Sequence, residues 1–128
     1  MTLTIDLASS IPVYRQIIDG LRVLLVSRRL APGDSLPPVR RLALDLGVHF
    51  NTVAQAYRAL ADEGWIEIAR RSGARVIARV VPDAHQKELA VDLQRRLREL
   101  IAELRARGYP SARLVRDLRQ AARGLEED

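Results

Sequence analysis

The chain has 128 residues, 48% of them hydrophobic and 29% charged, which suits one compact domain, or a small domain with an appended interaction element, and leaves no room for a large enzyme. It holds no cysteine and two histidines, His49 and His85; disulfides and thiol chemistry are excluded, no convincing metal cluster remains, and neither a cofactor nor catalysis is expected. The net charge is +5 and unevenly spread, with 11 basic against 7 acidic side chains in residues 1–79 and 10 against 9 in 80–128, so an anionic partner is expected to meet the first part.

Ser9 or Ser10 can cap a helix over about 12–27, in which Tyr14, Ile17, Ile18, Leu21, Leu24 and Leu25 recur at helical spacing. Ala31-Pro32-Gly33-Asp34 is a turn, and Pro37-Pro38 opens a second helix that turns Val39, Leu42, Ala43 and Leu46 inward and stops at a left-handed Gly47. A third helix runs from about Phe50 to Gly64, burying Val53, Ala56, Tyr57 and Leu60 and leaving Asn51, Thr52, Gln55, Arg58 and Asp62 on its surface. Two short helices separated by a glycine turn make a helix-turn-helix. The β-prone runs Trp65–Ala69 and Ala74–Ala78 flank Arg70-Arg71-Ser72-Gly73 and predict a hairpin with a basic tip. A hairpin directly after the second helix of a helix-turn-helix is a wing, able to reach the DNA backbone or minor groove.

Pro82-Asp83 ends the last strand and Asp83 can cap a helix over about 84–107 with an apolar stripe of Leu89, Leu93, Leu97, Leu100, Ile101 and Leu104. Gly108–Ser111 turns the chain into a shorter helix carrying Leu114, Val115, Leu118, Ala121, Ala122 and Leu125. The expected fold is therefore mainly α with a small β-hairpin wing: a winged helix-turn-helix over 1–80 and a helical hairpin over 81–128. No apolar run approaches the ~20 residues of a bilayer crossing and Met1–Asp6 lacks a signal pattern, so no membrane association and a cytoplasmic location are expected.

These residues resemble the GntR family of bacterial regulators. The likeness runs over about 10–79 and is carried by Pro12-Val13-Tyr14-Arg15-Gln16-Ile17, Leu30-Ala31-Pro32-Gly33-Asp34-Ser35-Leu36-Pro37, Arg40-Arg41-Leu42-Ala43, Leu46-Gly47-Val48, Asn51-Thr52-Val53, Ala56-Tyr57, Leu60, Glu63-Gly64 and Gly73. The short two-helix tail is similar to that of the YtrA-like subgroup. The resemblance implies a sequence-specific transcription regulator, usually a repressor, bound to double-stranded DNA as a homodimer on an inverted repeat. It departs from the family pattern at Pro38, where a capping serine is usual, at Phe50 and Ala54, where arginines are common, and at Arg71, where a glycine is common.

The resemblance puts His49, Asn51, Thr52 and Gln55 at the groove-reading front of the third helix; Asn and Gln amides match adenine N6 and N7. Arg58 would meet phosphate, Arg40 phosphate or guanine, and Arg70, Arg71 and Gly73 would make the wing contact. His49 is equally suited to capping the helix, and Phe50 either packs on the core, the favoured role, or meets a thymine methyl. Arg41 reads as solvated. In the tail, Leu89, Leu93, Leu97, Leu100, Ile101, Leu104, Leu114 and Leu118 are the expected dimer interface, since two helices cannot cover all their apolar surface on each other. A small-molecule effector, if one is used, would need a pocket at the dimer seam or between the tail and the winged part.

Overall fold

In the computed structural model, which describes residues 3–69, 73–79 and 85–127, the chain forms α1 (Val13–Val26), β1 (Ser35–Leu36), α2 (Val39–Leu46), α3 (Phe50–Asp62), β2 (Ile66–Ala69), β3 (Gly73–Val76), α4 (Gln86–Ala106) and α5 (Ser111–Glu126). It divides into two units, Met1–Val80 and Val81–Asp128.

The core of the first unit follows the helical spacing. α1 contributes Ile17, Ile18, Leu21, Leu24 and Leu25, α2 Leu42 and Ala43, α3 Val53, Ala56, Tyr57 and Leu60, and the strands Leu36, Ile66, Ala74 and Val76. The start of α1 differs from expectation: Pro12 holds the N-cap position with no side-chain hydrogen bond, because Ser9 Oγ instead accepts from Ile11 N at 3.1 Å. Gln16 anchors this lead-in, accepting from Asp6 N at 2.8 Å and donating Nε2 to the Asp6 and Ile11 carbonyls, both at 2.9 Å. α2 likewise begins on a proline, Pro38, without a side-chain cap; the ring's fixed φ suits a first-turn entry.

The helix-turn-helix is closed by Gly47 at φ 70°, where Val48 N donates to Ala43 O at 3.0 Å and Gly47 N to Leu44 O at 3.2 Å. A left-handed residue is required there, which glycine adopts without a Cβ clash. α3 is tied to the start of α2 by Tyr57, whose ring is fully buried and whose hydroxyl donates to Pro37 O at 2.7 Å. Burial pushes this phenol well above its ordinary value, since the charged form is desolvated. Tyr57→Phe should therefore cost about 1–2 kcal/mol in a urea melt, the lost bond plus an unpaired carbonyl. The raised folded-state pKa means that the contribution is complete below the unfolded tyrosine's pKa of about 10 and is lost as pH climbs past it. Wild type should then lose stability above pH ~10 more steeply than Tyr57→Phe.

The sheet has three strands in the order β1-β3-β2, all antiparallel, with Ser35 opposite Arg75, Leu36 opposite Ala74 and Ile66 opposite Val76. The hairpin was expected from sequence and β1 was not. The turn before it delivers the chain to the free edge of β3, where Gly33 N donates to Val76 O at 2.9 Å and Val76 N to Asp34 O at 2.8 Å. The predicted basic tip residues Arg70 and Arg71 lie outside the described residues, as does Asp83 with its predicted cap.

In the second unit α4 ends in a tight turn, Tyr109 N donating to Leu104 O at 2.9 Å and Gly108 N to Arg105 O at 3.0 Å, and the Tyr109 hydroxyl donates to Asp117 of α5. Arg95 bridges Asp92 and Glu99, and Arg96 also meets Asp92, along one exposed side of α4. α4 buries no residue and α5 only Leu114. No helix among the described residues is long and apolar enough to cross a membrane.

Candidate nucleic-acid interface

α3 presents two faces. Val53, Ala56, Tyr57 and Leu60 are buried, whereas Asn51, Gln55, Arg58 and Asp62 are exposed at i, i+4, i+7 and i+11, with Thr52 half-buried on the flank. The exposed row is one stripe along the helix, since those offsets return to the same side. His49 is exposed and serves as N-cap, its Nδ1 accepting from Asn51 N at 3.1 Å. The two roles left open for it are thus compatible: capping occupies Nδ1, and the neutral ring keeps an Nε2–H donor.

Arg40, in the first turn of α2, connects this helix to the wing. Its guanidinium carbon lies 5.3 Å from the centroid of the Phe50 ring, and that ring stacks on His49 at 4.7 Å. Arg40 also lines a concavity of about 300 Å³ together with Pro38, Ile68, Ala69 and Gly73. Gly73 has φ +80°, and a Cβ there would sit 3.7 Å from Leu36 O and 3.8 Å from Pro38 Cα; the left-handed backbone, more than the space, calls for glycine. The start of α2, the front of α3 and the base of the wing therefore share one surface, which brings together Arg40, His49, Phe50 and Gly73.

Arg41 reaches Asp45 at 4.0 Å, Arg75 reaches Glu67 at 3.5 Å, and Arg22 is held by Asp19 and Glu63. Arg40 and Arg58 have no acidic partner among the described residues, a state they share with Arg15, Arg28 and Arg29. Phe50 departs from the favoured expectation of core packing: it is 42% exposed. Helical spacing puts it in line with Val53, Tyr57 and Leu60, but it is the first residue of α3, and burial along the helix begins only at Val53.

In the tail, Leu89, Leu93, Leu100 and Leu118 are exposed, Leu97, Ile101 and Leu104 half-buried, and Leu114 buried. No group of three or more potential metal ligands occurs among the described residues.

A helix-turn-helix followed by an antiparallel hairpin, with the hairpin's base beside the first turn of α2, is a winged helix-turn-helix. Residues 13–76 match the family model for bacterial regulatory proteins of the gntR family. The chain belongs to the GntR family, and within it resembles the YtrA-like members. It is 45% identical over 69 residues to the HTH-type transcriptional repressor YtrA of Bacillus subtilis, a match covering 54% of this chain and 53% of that protein; the chain thus spans about half of that relative's length. The solved structure of YtrA from Sulfolobus acidocaldarius, a GntR-family transcription factor, is 39% identical, covers 74% of this chain and 96% of its own, and superimposes with a TM-score of 0.61. A transcriptional antiterminator structure from Listeria monocytogenes shares the fold over 95% of this chain and 90% of its own, at 24% identity and a TM-score of 0.71. The named relatives are transcription regulators, and the family is not an enzymatic one.

Proposed function

We propose that the chain is a homodimeric repressor that binds an inverted-repeat operator, each winged unit (1–80) reading one half-site and the tail units (81–128) pairing the two copies. The observation that carries this reading is the meeting around Arg40 of the wing base at Gly73 and of Phe50, the first residue of α3, which is the helix that also bears the exposed row Asn51, Gln55 and Arg58. α3 supplies the recognition helix. Asn51 and Gln55 carry the paired donor and acceptor that adenine's major-groove edge matches, Thr52 flanks them, and His49 keeps one ring N–H to donate. Arg58 and Arg40 neutralise phosphate, or Arg40 a guanine edge, and Gly73 with Arg70 and Arg71 brings the wing to the backbone beside the groove.

Pairing of two copies is supported by the tail's uncovered leucines. α4 is 21 residues long and buries none of them; a helix draws most of its stability from an apolar face packed against something. A two-fold pair also matches the symmetry of a palindrome and doubles the base contacts. The name of the Bacillus relative, a repressor, supports repression by occlusion of a promoter.

Selection of bound duplexes from a random pool with the full chain tests this: a symmetric motif is expected, and equal binding of selected and scrambled duplexes overturns it in favour of non-specific packaging of DNA. Arg40→Ala should weaken binding to all duplexes and reduce the salt slope by about 0.9 per phosphate contact, about 1.8 for the dimer; an unchanged slope removes Arg40 from the backbone contact.

A further inference from the structure

Building on the proposed DNA-binding role, we infer that Phe50 reads the 5-methyl group of a thymine in each operator half-site. Phe50 stands at the first residue of α3, 42% exposed, where a large ring gains little from the fold. It opens onto a concavity of about 480 Å³ whose other walls are Ala43, Leu44, Gly47 and Val48, with Arg40 and His49 as its polar members. Leu44 is exposed as well, so the turn of the helix-turn-helix carries an apolar depression continuous with the surface assigned to DNA.

A duplex offers little to such a depression. Among the groups displayed in the major groove, bases present donors, acceptors and one apolar group, the thymine methyl. Arg40 lies over the Phe50 ring at 5.3 Å and His49 stacks on it at 4.7 Å, so the ring is held by two neighbours. The guanidinium beside it is free to take a neighbouring phosphate or guanine while the ring takes the methyl. Phe50 is thereby a specificity-determining residue, distinct from the hydrogen-bonding row of Asn51 and Gln55.

The experiment replaces each symmetric pair of thymines in the selected operator by deoxyuridine, which removes the methyl and keeps the base pairing, and measures Kd by fluorescence anisotropy. Wild type should lose about fourfold in affinity per half-site at one thymine position, about fifteenfold when both methyls are absent. Phe50→Ala should bind the thymine and uracil duplexes equally at that position and keep any discrimination at other thymines. Phe50→Leu, which retains apolar contact, should keep part of the difference and guards against a folding defect in the alanine variant. A site with no methyl-sensitive thymine, or sensitivity that survives in Phe50→Ala, overturns the assignment of Phe50 while leaving the operator-binding function standing. A selection that yields no preferred site overturns both.

Discussion

Asn51→Ala should cost about 1–3 kcal/mol of operator affinity per half-site, and so about 2–6 kcal/mol for a two-fold complex, a loss of roughly 30-fold or more. The reason lies in the position of the amide: it is exposed at the front of α3, and in the described structure its side chain makes no hydrogen bond that holds the fold. His49 caps the helix through the Asn51 backbone N–H at 3.1 Å, a contact that the alanine variant keeps. Alanine is also the better helix former, so the melting temperature should hold or rise slightly while binding fails. The loss should appear on the selected operator and hardly at all on a scrambled duplex, because phosphate contacts are untouched. An equal loss on both duplexes would assign Asn51 to the backbone, and no loss would remove it from the interface.

If the tail pairs two copies as proposed, light scattering at micromolar concentration should give a dimer mass for wild type and a species of one chain mass, 14.4 kDa, for Leu100→Asp. Leu93, Leu97, Leu100 and Leu104 repeat at the 4-3-4 spacing of a helical seam, and Leu100 is 49% exposed in the single chain. Loss of two buried leucines, one per copy, removes about 3–6 kcal/mol, before any penalty for burying the two carboxylates. The substitution breaks no buried contact within one chain, since α4 buries nothing there. The winged unit should keep its own melting transition, while helical signal from the tail falls because an unpacked helix of this length is marginal. Operator affinity should drop toward that of one half-site. An unchanged mass would mean that the leucine stripe faces something other than a second copy.

Much of the first unit is legible in the residues because burial there has a period. Ile17, Ile18, Leu21, Leu24 and Leu25 mark the inward side of α1, and Gly47 marks the end of α2 by its backbone requirement. β1 has no such mark: two residues, Ser35 and Leu36, are strand only because β3 supplies their ladder partners, and no local pattern encodes a partner 40 residues away. The cap of α1 was misleading for a related reason. Ser9 has the right side chain, but its hydroxyl is spent on Ile11 N, a choice made by the path of the lead-in. At the candidate site, Arg40, Asn51 and Gln55 follow from motif and spacing, whereas the meeting of Arg40 with both Phe50 and Gly73 is a tertiary relation. Phe50 follows the core spacing of Val53, Tyr57 and Leu60 and yet stays outside, because periodicity describes a side of a helix and not how far the core extends along it.

The assignment of one face of the winged unit to DNA is tested most directly by following backbone amide NMR shifts of the full chain as the selected operator is added. Arg40, His49, Phe50, Asn51, Gln55, Arg58 and Gly73 should shift together with the largest amplitudes, while Leu25, Val26 and Trp65 stay near their free positions. Perturbations centred on those last three residues, or confined to the tail, would contradict it.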